Sequence, residues 1–235
     1  MSEPRANHLG RENKRISLIL LFLLRLLVMS MPFALIPAAG KSRRMGRPKI
    51  TLPLGERTVL EHVISALQKA GIEHILVVLG AHVAHMSDLL HRAGARVLVP
   101  AEETHTMRAT VEQGLTWLEN RFHPKPSDSW FLVPADYPIL EPAIVRKLVR
   151  KRQSNRHYSI FIPTYEGRRG HPALIGWRHV PLIRSSPPDI GLNVYLQRHK
   201  KKTLEVPVDS PTILWDLDTP EDYQRILAAW EECKE

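Results

Sequence analysis

The sequence predicts an α/β domain, a three-layer and mostly parallel sheet flanked by helices. Two observations carry that expectation. Short apolar runs alternate with longer amphipathic stretches from Phe33 to Trp230, the pattern of right-handed βαβ units. The 235 residues are 43% hydrophobic and 24% charged, enough apolar material for one large core and in the range of soluble globular chains.

The elements follow in order. Phe33–Pro37 (FALIP) reads as a strand ending in a glycine-containing loop. Thr58–Ala70 places Val59, Leu60, Val63, Ile64 and Leu67 on one helical face, with Gly71 as the stop. His74–Gly80 is a buried strand, His82–Arg92 a helix, and Arg96–Val99 a third strand. Thr106–Asn120 is a second amphipathic helix, and Trp130–Ala135 a strand that runs into Asp136. Pro142 opens the helix to Arg152, since proline suits a first helical turn. Tyr158–Ile162 is a strand, and a polar loop then leads to Ala173–Gly176. Helices over Gly191–His199 and Pro220–Trp230 flank a last strand, Thr203–Val206. In such sheets ligands bind beyond the C-terminal strand ends, so residues just after strands are the first candidates for a site.

Composition narrows the function. It excludes disorder, collagen and a multi-pass membrane protein. The single cysteine, Cys233, excludes an internal disulfide framework and a cysteine-built zinc site. Of the 12 histidines, His82, His85 and His91 share a helix but diverge around it, and no HExxH occurs, so no zinc site is expected. The net charge of +9 suits an anionic partner. Nucleic acid ranks last among such partners, because the densest cations sit in one loop and Arg198–Lys202 is short.

That loop directly follows the first strand: Pro37-Ala38-Ala39-Gly40-Lys41-Ser42-Arg43-Arg44-Met45-Gly46-Arg47-Pro48-Lys49. Small residues at 38–40 allow close backbone approach, and successive N–H groups there form an anion nest. Lys41, Arg43, Arg44, Arg47 and Lys49 add five cations within nine residues, a composition suited to several phosphates. A P-loop is excluded, because its first glycine would fall at Leu35, inside the strand. Two further stations carry carboxylates. Val133-Pro134-Ala135-Asp136-Tyr137-Pro138 sets Asp136 at a strand end, and Trp215-Asp216-Leu217-Asp218-Thr219-Pro220-Glu221 precedes the last helix.

The segment IPAAGKSRRMGRPKITLPLGERTVLEHVISAL resembles the opening signature of the nucleotidyltransferase-A superfamily, and within it the branch of MobA-like molybdenum cofactor cytidylyltransferases. The resemblance implies the nucleotidyltransferase-A fold, a Rossmann-like mostly parallel sheet. It implies Arg44 and Lys49 as catalytic residues, and Ala38, Ala39, Gly40, Arg44, Lys49 and Met107 as nucleotide-binding ones. Asp136 and Asp216 would bind Mg²⁺, whereas Asp218 or Thr219 reads as the cap of the last helix, and for Asp218 capping is the preferred role. Gly167-Arg168-Arg169-Gly170-His171-Pro172 is similar to the branch's Gly-x-x-Gly-His-Pro, which puts Arg168, Arg169 and His171 on the acceptor side. The segment Thr106–Leu115 departs from the family: Thr106 replaces a glycine, and Arg108 is either a charge near the phosphates or a helix-surface residue.

The implied function is Mg-dependent transfer of a nucleoside monophosphate, CMP favoured, from a nucleoside triphosphate to a phosphorylated acceptor such as molybdopterin. A sugar-phosphate nucleotidyltransferase is the alternative, and a non-catalytic nucleotide-binding protein the rival from another class. Such an enzyme is expected in the cytoplasm, where triphosphates are abundant. Residues 31–235 are expected to form the single domain, with 1–30 an extension. Ile16–Met31 is apolar apart from Arg25 and two serines and follows Arg11, Lys14 and Arg15. A start annotated too early is preferred for it, then a membrane anchor, then a secretory signal.

Overall fold

In the computed structural model, residues 32–232 are described. The expectations for residues 1–31 and for Cys233 lie outside them. The central strand β1 (Phe33–Ala38) is apolar along its whole length rather than alternating, as a strand covered on both faces must be. It pairs in parallel with β4 (Ile75–Leu79) on one side and β6 (Ser129–Leu132) on the other. A two-residue hairpin, β2 (Pro53–Leu54) and β3 (Arg57–Thr58), precedes helix α1 (Val59–Lys69). Thr58 and Glu61 close a reciprocal capping box that fixes the start of that helix.

Helix α2 (Ser87–Arg92) is shorter than expected. Residues 81–86 form a tighter turn whose regularity breaks at the buried Val83, with φ −123° and ψ 16°. Strand β5 (Arg96–Leu98), helix α3 (Met107–Phe122), β6 and helix α4 (Pro142–Ser154) complete the first half. The second half holds β7 (Ile160–Tyr165), β8 (Arg168–Arg169), β9 (Ala173–Gly176), α5 (Val180–Ser185), α6 (Leu192–Arg198), β10 (Thr203–Pro207) and α7 (Pro220–Glu232). The main sheet runs β10-β7-β9-β6-β1-β4-β5, with β8 paired to β7.

One strand departs from parallel order. β9 lies antiparallel between β6 and β7. The short link after β7 has no room for a crossover helix, so the chain can only turn back. The consequence is functional: the start of β9 lies at the same sheet end as the termini of β1, β4 and β6.

Two apolar layers enclose the sheet. One face packs Ala34 and Ile36 against α1 and α4 through Leu60, Ile64, Val145 and Leu148. The other packs Leu35 and Val78 against α3 through Val111 and Leu115. Gly114 permits that close approach: a Cβ there would stand 2.4 Å from Leu35 Cδ1. Among the described residues no helix is long and apolar enough to cross a membrane.

Candidate active site

At the end of β1 the chain leaves the core as Ala39 and Gly40, then turns through Ser42, whose φ of 48° is left-handed. The Ser42 hydroxyl accepts from the Lys49 amide at 3.1 Å and so folds the basic loop back on itself. This loop lines a cleft of about 490 Å³ with Lys41, Arg44 and Lys49, closed by Glu103, Thr104, His105 and Asp218. Lys41 and Glu103 form an ion pair of 2.6 Å within it.

Lys49 holds the centre. Its ammonium donates to Asp136 and, at 2.8 Å, to Asp218 Oδ1. Arg44, largely exposed, donates to the other Asp218 oxygen at 2.7 Å. Burial alone would lower the Lys49 pKa; the two carboxylates outweigh it and raise that pKa above the usual lysine range. Burial would likewise raise Asp218, but Lys49 and Arg44 outweigh it and hold the group below the usual carboxylate range.

Backbone contacts bring these distant residues together. Leu217 is fully buried among Leu52, Leu54, Val59 and Ile226, and its amide donates to the Asp136 carbonyl at 3.0 Å. This anchors residues 216–218 beside the Asp136 loop. The cap expected of Asp218 is supplied instead by its neighbours. Thr219 Oγ1 accepts from the Asp222 amide, and the Asp222 carboxylate accepts from the Thr219 amide and hydroxyl. Asp218 is therefore free for Lys49, and of the two cap candidates at this helix start it is Thr219 that takes the role. Asp216, the expected partner of Asp136, makes no bond to Lys49. Its pKa is raised by burial and by the nearby Asp218, and its charge acts on Tyr137 and His171.

The Gly-His-Pro turn stands next to Tyr137. The His171 ring meets Tyr137 edge-on at 5.3 Å, and its amide donates to the Ile213 carbonyl at 3.0 Å. Gly170 is required for that contact, since a Cβ would stand 2.4 Å from the same carbonyl. Burial lowers the His171 pKa to about 4, against a weaker opposing pull from Asp216. Its Nδ1 is buried with no protein partner among the described residues. Of the two flanking arginines, Arg169 is drawn to Glu205 at 2.7 Å and Arg168 is exposed.

Arg108 fits neither expectation. It is buried, and all five of its donors are used within the protein. It donates to Glu112 at 2.7 Å, Ile183 O at 2.6 Å, Ser186 O at 2.8 Å, Ile190 O at 3.0 Å, and Pro187 O. The arginine thus clamps the end of α5 to the start of α3. Met107 beside it is exposed, and Thr106 caps α3 through the Ala109 amide.

Asp136 and Asp218 meet on one ammonium, so a single cation can bridge both. Two hard oxygen donors suit Mg²⁺, which takes one or two carboxylates and completes its shell with phosphate oxygens and water. No group of three or more His, Cys, Asp and Glu side chains able to hold a metal ion occurs among the described residues, so a bound phosphate would have to supply further ligands.

A basic loop after a central strand, facing paired carboxylates at the same sheet end, defines the class of nucleotidyltransferases. The chain belongs to the MobA-like NTP transferase domain family, whose model matches residues 34–203. It is 29% identical over 187 residues to phosphoenolpyruvate guanylyltransferase of Rubrobacter xylanophilus, covering 79% of this chain and 83% of that protein. It is 28% identical over 191 residues to molybdenum cofactor cytidylyltransferase of Escherichia coli, covering 80% and 92%. In fold it is similar to Rv0371c of Mycobacterium tuberculosis, solved in complex with manganese, with a TM-score of 0.64, 23% identity and coverage of 85% of this chain and all of that one.

Proposed function

We propose that this enzyme transfers a nucleoside monophosphate, CMP by preference, from its triphosphate to a phosphorylated small molecule and releases pyrophosphate. The contact of Lys49 with both Asp136 and Asp218, where Lys49 and Asp218 line a cleft walled by the basic loop, is the observation that carries this reading. The similarity to a molybdenum cofactor cytidylyltransferase makes molybdopterin the first acceptor to test and CTP the first donor.

The chain's groups divide the work by charge. The Ala38–Gly40 amides and Arg44 grip the β- and γ-phosphates. Asp136 and Asp218 would hold a divalent cation, Mg²⁺ by preference. Bound there, the ion supplies neutralisation of the phosphate charge and alignment of the displacement. Triphosphate binding draws Lys49 off its carboxylates, and its ammonium then donates to the α-phosphate and to the incoming acceptor. An acceptor phosphate oxygen bonds the α-phosphorus as the bond to the bridging oxygen of pyrophosphate breaks. That nucleophile is already an anion, so no strong general base is required. His171, neutral at pH 7, offers the acceptor a hydrogen bond rather than a charge, and Arg168, exposed while Arg169 is paired with Glu205, is left for an acceptor phosphate. The reading places the enzyme in the cytoplasm with its substrates.

A pyrophosphate-release assay tests it, using Mg²⁺, each of four nucleoside triphosphates, and molybdopterin, phosphoenolpyruvate or sugar 1-phosphates as acceptors. Release with CTP and molybdopterin is expected. Release only with GTP and phosphoenolpyruvate, the pairing named for the Rubrobacter relative, or only with a sugar phosphate, would replace both base and acceptor. Nucleotide binding without release from any pair would overturn transfer in favour of a binding protein.

A further inference from the structure

The sheet end opposite the cleft is also strongly basic, and nothing in the transfer reaction uses it. Strand register brings the charges together there. Thr203 pairs with Ile160, Ile160 with Ile175, and Gly176 with Ser129. The segments next to those residues, 150–157, 176–179 and 198–203, therefore share one end of the sheet. They hold nine Lys and Arg residues and no Asp or Glu. Backbone bonds tie them: Ser159 N donates to Lys202 O at 3.0 Å, Gly176 N to Ser159 O at 2.7 Å, and Trp177 N to Asp128 O at 2.8 Å.

The cations lie close enough to feel one another. Burial lowers the Arg152 pKa, Asp128 opposes that, and the Arg178 and Arg156 charges add to the lowering. Burial lowers His179 to about 4, with His199, Arg178 and Lys202 adding to the effect. Asp128 is thus the one acid acting on Arg152, while Arg156, Arg178, Lys200, Lys201 and Lys202 are exposed.

We propose that this face docks the protein on an anionic lipid surface, leaving the cleft turned toward solution. The side chains favour lipid over nucleic acid. Sequence-tolerant binding to single strands uses aromatic stacking platforms, but Trp177 and Tyr195 are buried here. Duplex reading needs an element that enters a groove, whereas these cations come from short segments at strand ends. Mobile headgroups need neither register nor groove; they collect wherever cations are dense. The sequence adds a second signal of the kind stable anchoring requires, because Ile16–Met31, apolar apart from Arg25 and two serines, follows Arg11, Lys14 and Arg15.

The test is co-sedimentation of the full chain with phosphatidylcholine vesicles, with and without about one-third phosphatidylglycerol, at low and high salt. The variants are Lys200→Gln/Lys201→Gln/Lys202→Gln and Arg156→Gln/Arg178→Gln, none of them in the cleft, so the melting temperature and pyrophosphate release serve as folding controls. Each charge removed should lower partitioning to anionic vesicles about five-fold, hence about 100-fold for the triple variant, with high salt erasing the difference. Neutral vesicles should show no difference between wild type and variants. Equal binding of wild type and variants to anionic vesicles would overturn the proposal. So would binding that ignores phosphatidylglycerol, or an RNA or DNA competitor that strips the protein from vesicles at sub-stoichiometric phosphate.

Discussion

The two sides of the active site are built on opposite electrostatic principles. On the proposed nucleotide side, Lys49, Arg44, Asp136 and Asp218 satisfy one another's charges through direct contacts. On the proposed acceptor side, His171 and Tyr137 are pushed toward their neutral forms by burial. The contrast shows where the fold expects to exchange charge. The first side presents a ready-made ion cluster, and in the proposed reaction a metal-bound triphosphate would displace Lys49 from its carboxylates. The second offers shape and a single unpartnered imidazole nitrogen, Nδ1 of His171.

The sharpest way to break this contrast is Lys49→Met. Loss of a preorganised charge at the transferring phosphate should cut turnover by about 10²–10³-fold or more, with the fold retained although the melting temperature falls, since Asp136 and Asp218 lose the cation they share. The same variant should bind Mn²⁺ more tightly than wild type when no nucleotide is present, because the competing ammonium is gone. Titration calorimetry reads that directly. Tighter metal binding without a loss of turnover would detach Lys49 from catalysis.

Next comes the pair of aspartates. Asp218→Asn should reduce turnover about 10²-fold and raise the Mg²⁺ concentration needed for half-maximal rate. Asp216→Asn should do less of both, because its carboxylate does not touch Lys49. Steady-state assays across a metal series decide the order, and a larger effect at Asp216 would restore the pairing expected from the sequence.

The contact of Lys49 with Asp218 rather than Asp216 shows where the sequence could be read and where it could not. β1 and its basic loop were legible because a buried apolar run ending in Ala-Ala-Gly leaves few conformations, and all of them expose amides. Asp136 was legible as a carboxylate at a strand end. Asp216 and Asp218 are two residues apart on one irregular stretch, and their roles depend on Leu217. Its burial and its bond to the Asp136 carbonyl set which carboxylate faces Lys49, a tertiary event with no local signal. The antiparallel β9 was hidden because strand direction depends on the link before it, not on the strand's own residues. Arg108 was hidden for a related reason: its partners are carbonyls about 75 to 82 residues away.

Arg108 sharpens the comparison from outside the site. Arg108→Met removes a buried cation and leaves Glu112 and four carbonyls without their donors. Breaking such a network costs about 3–5 kcal/mol. For a domain of this size that lowers the melting temperature by roughly 6–20 °C. Differential scanning calorimetry checks it, and the nucleotide dissociation constant of the folded variant should stay within about three-fold of wild type, because the guanidinium spends no donor on phosphate. A stable variant with weakened nucleotide binding would return Arg108 to the phosphates.

The smallest effect concerns a buried imidazole far from the chemistry. His179 accepts or donates through Nε2 with Ser159 and through Nδ1 with Tyr195, both at 2.7 Å, and burial lowers its pKa from 6.5 to about 4. A histidine depressed in the folded state binds its proton more readily when unfolded, so acid favours unfolding. Stability should be full above pH 6.5 and fall progressively as the pH drops toward 4. Linkage gives a loss of about 1 kcal/mol between pH 7 and 5.5 for this one group. Urea midpoints at the two pH values measure it, with His179→Gln as the control that keeps hydrogen bonds and cannot titrate. The variant should lose less stability than wild type over that interval by the same amount. Parallel pH profiles for the two proteins would mean that His179 titrates in the fold as it does in the unfolded chain, its hydrogen bonds offsetting burial and the surrounding cations.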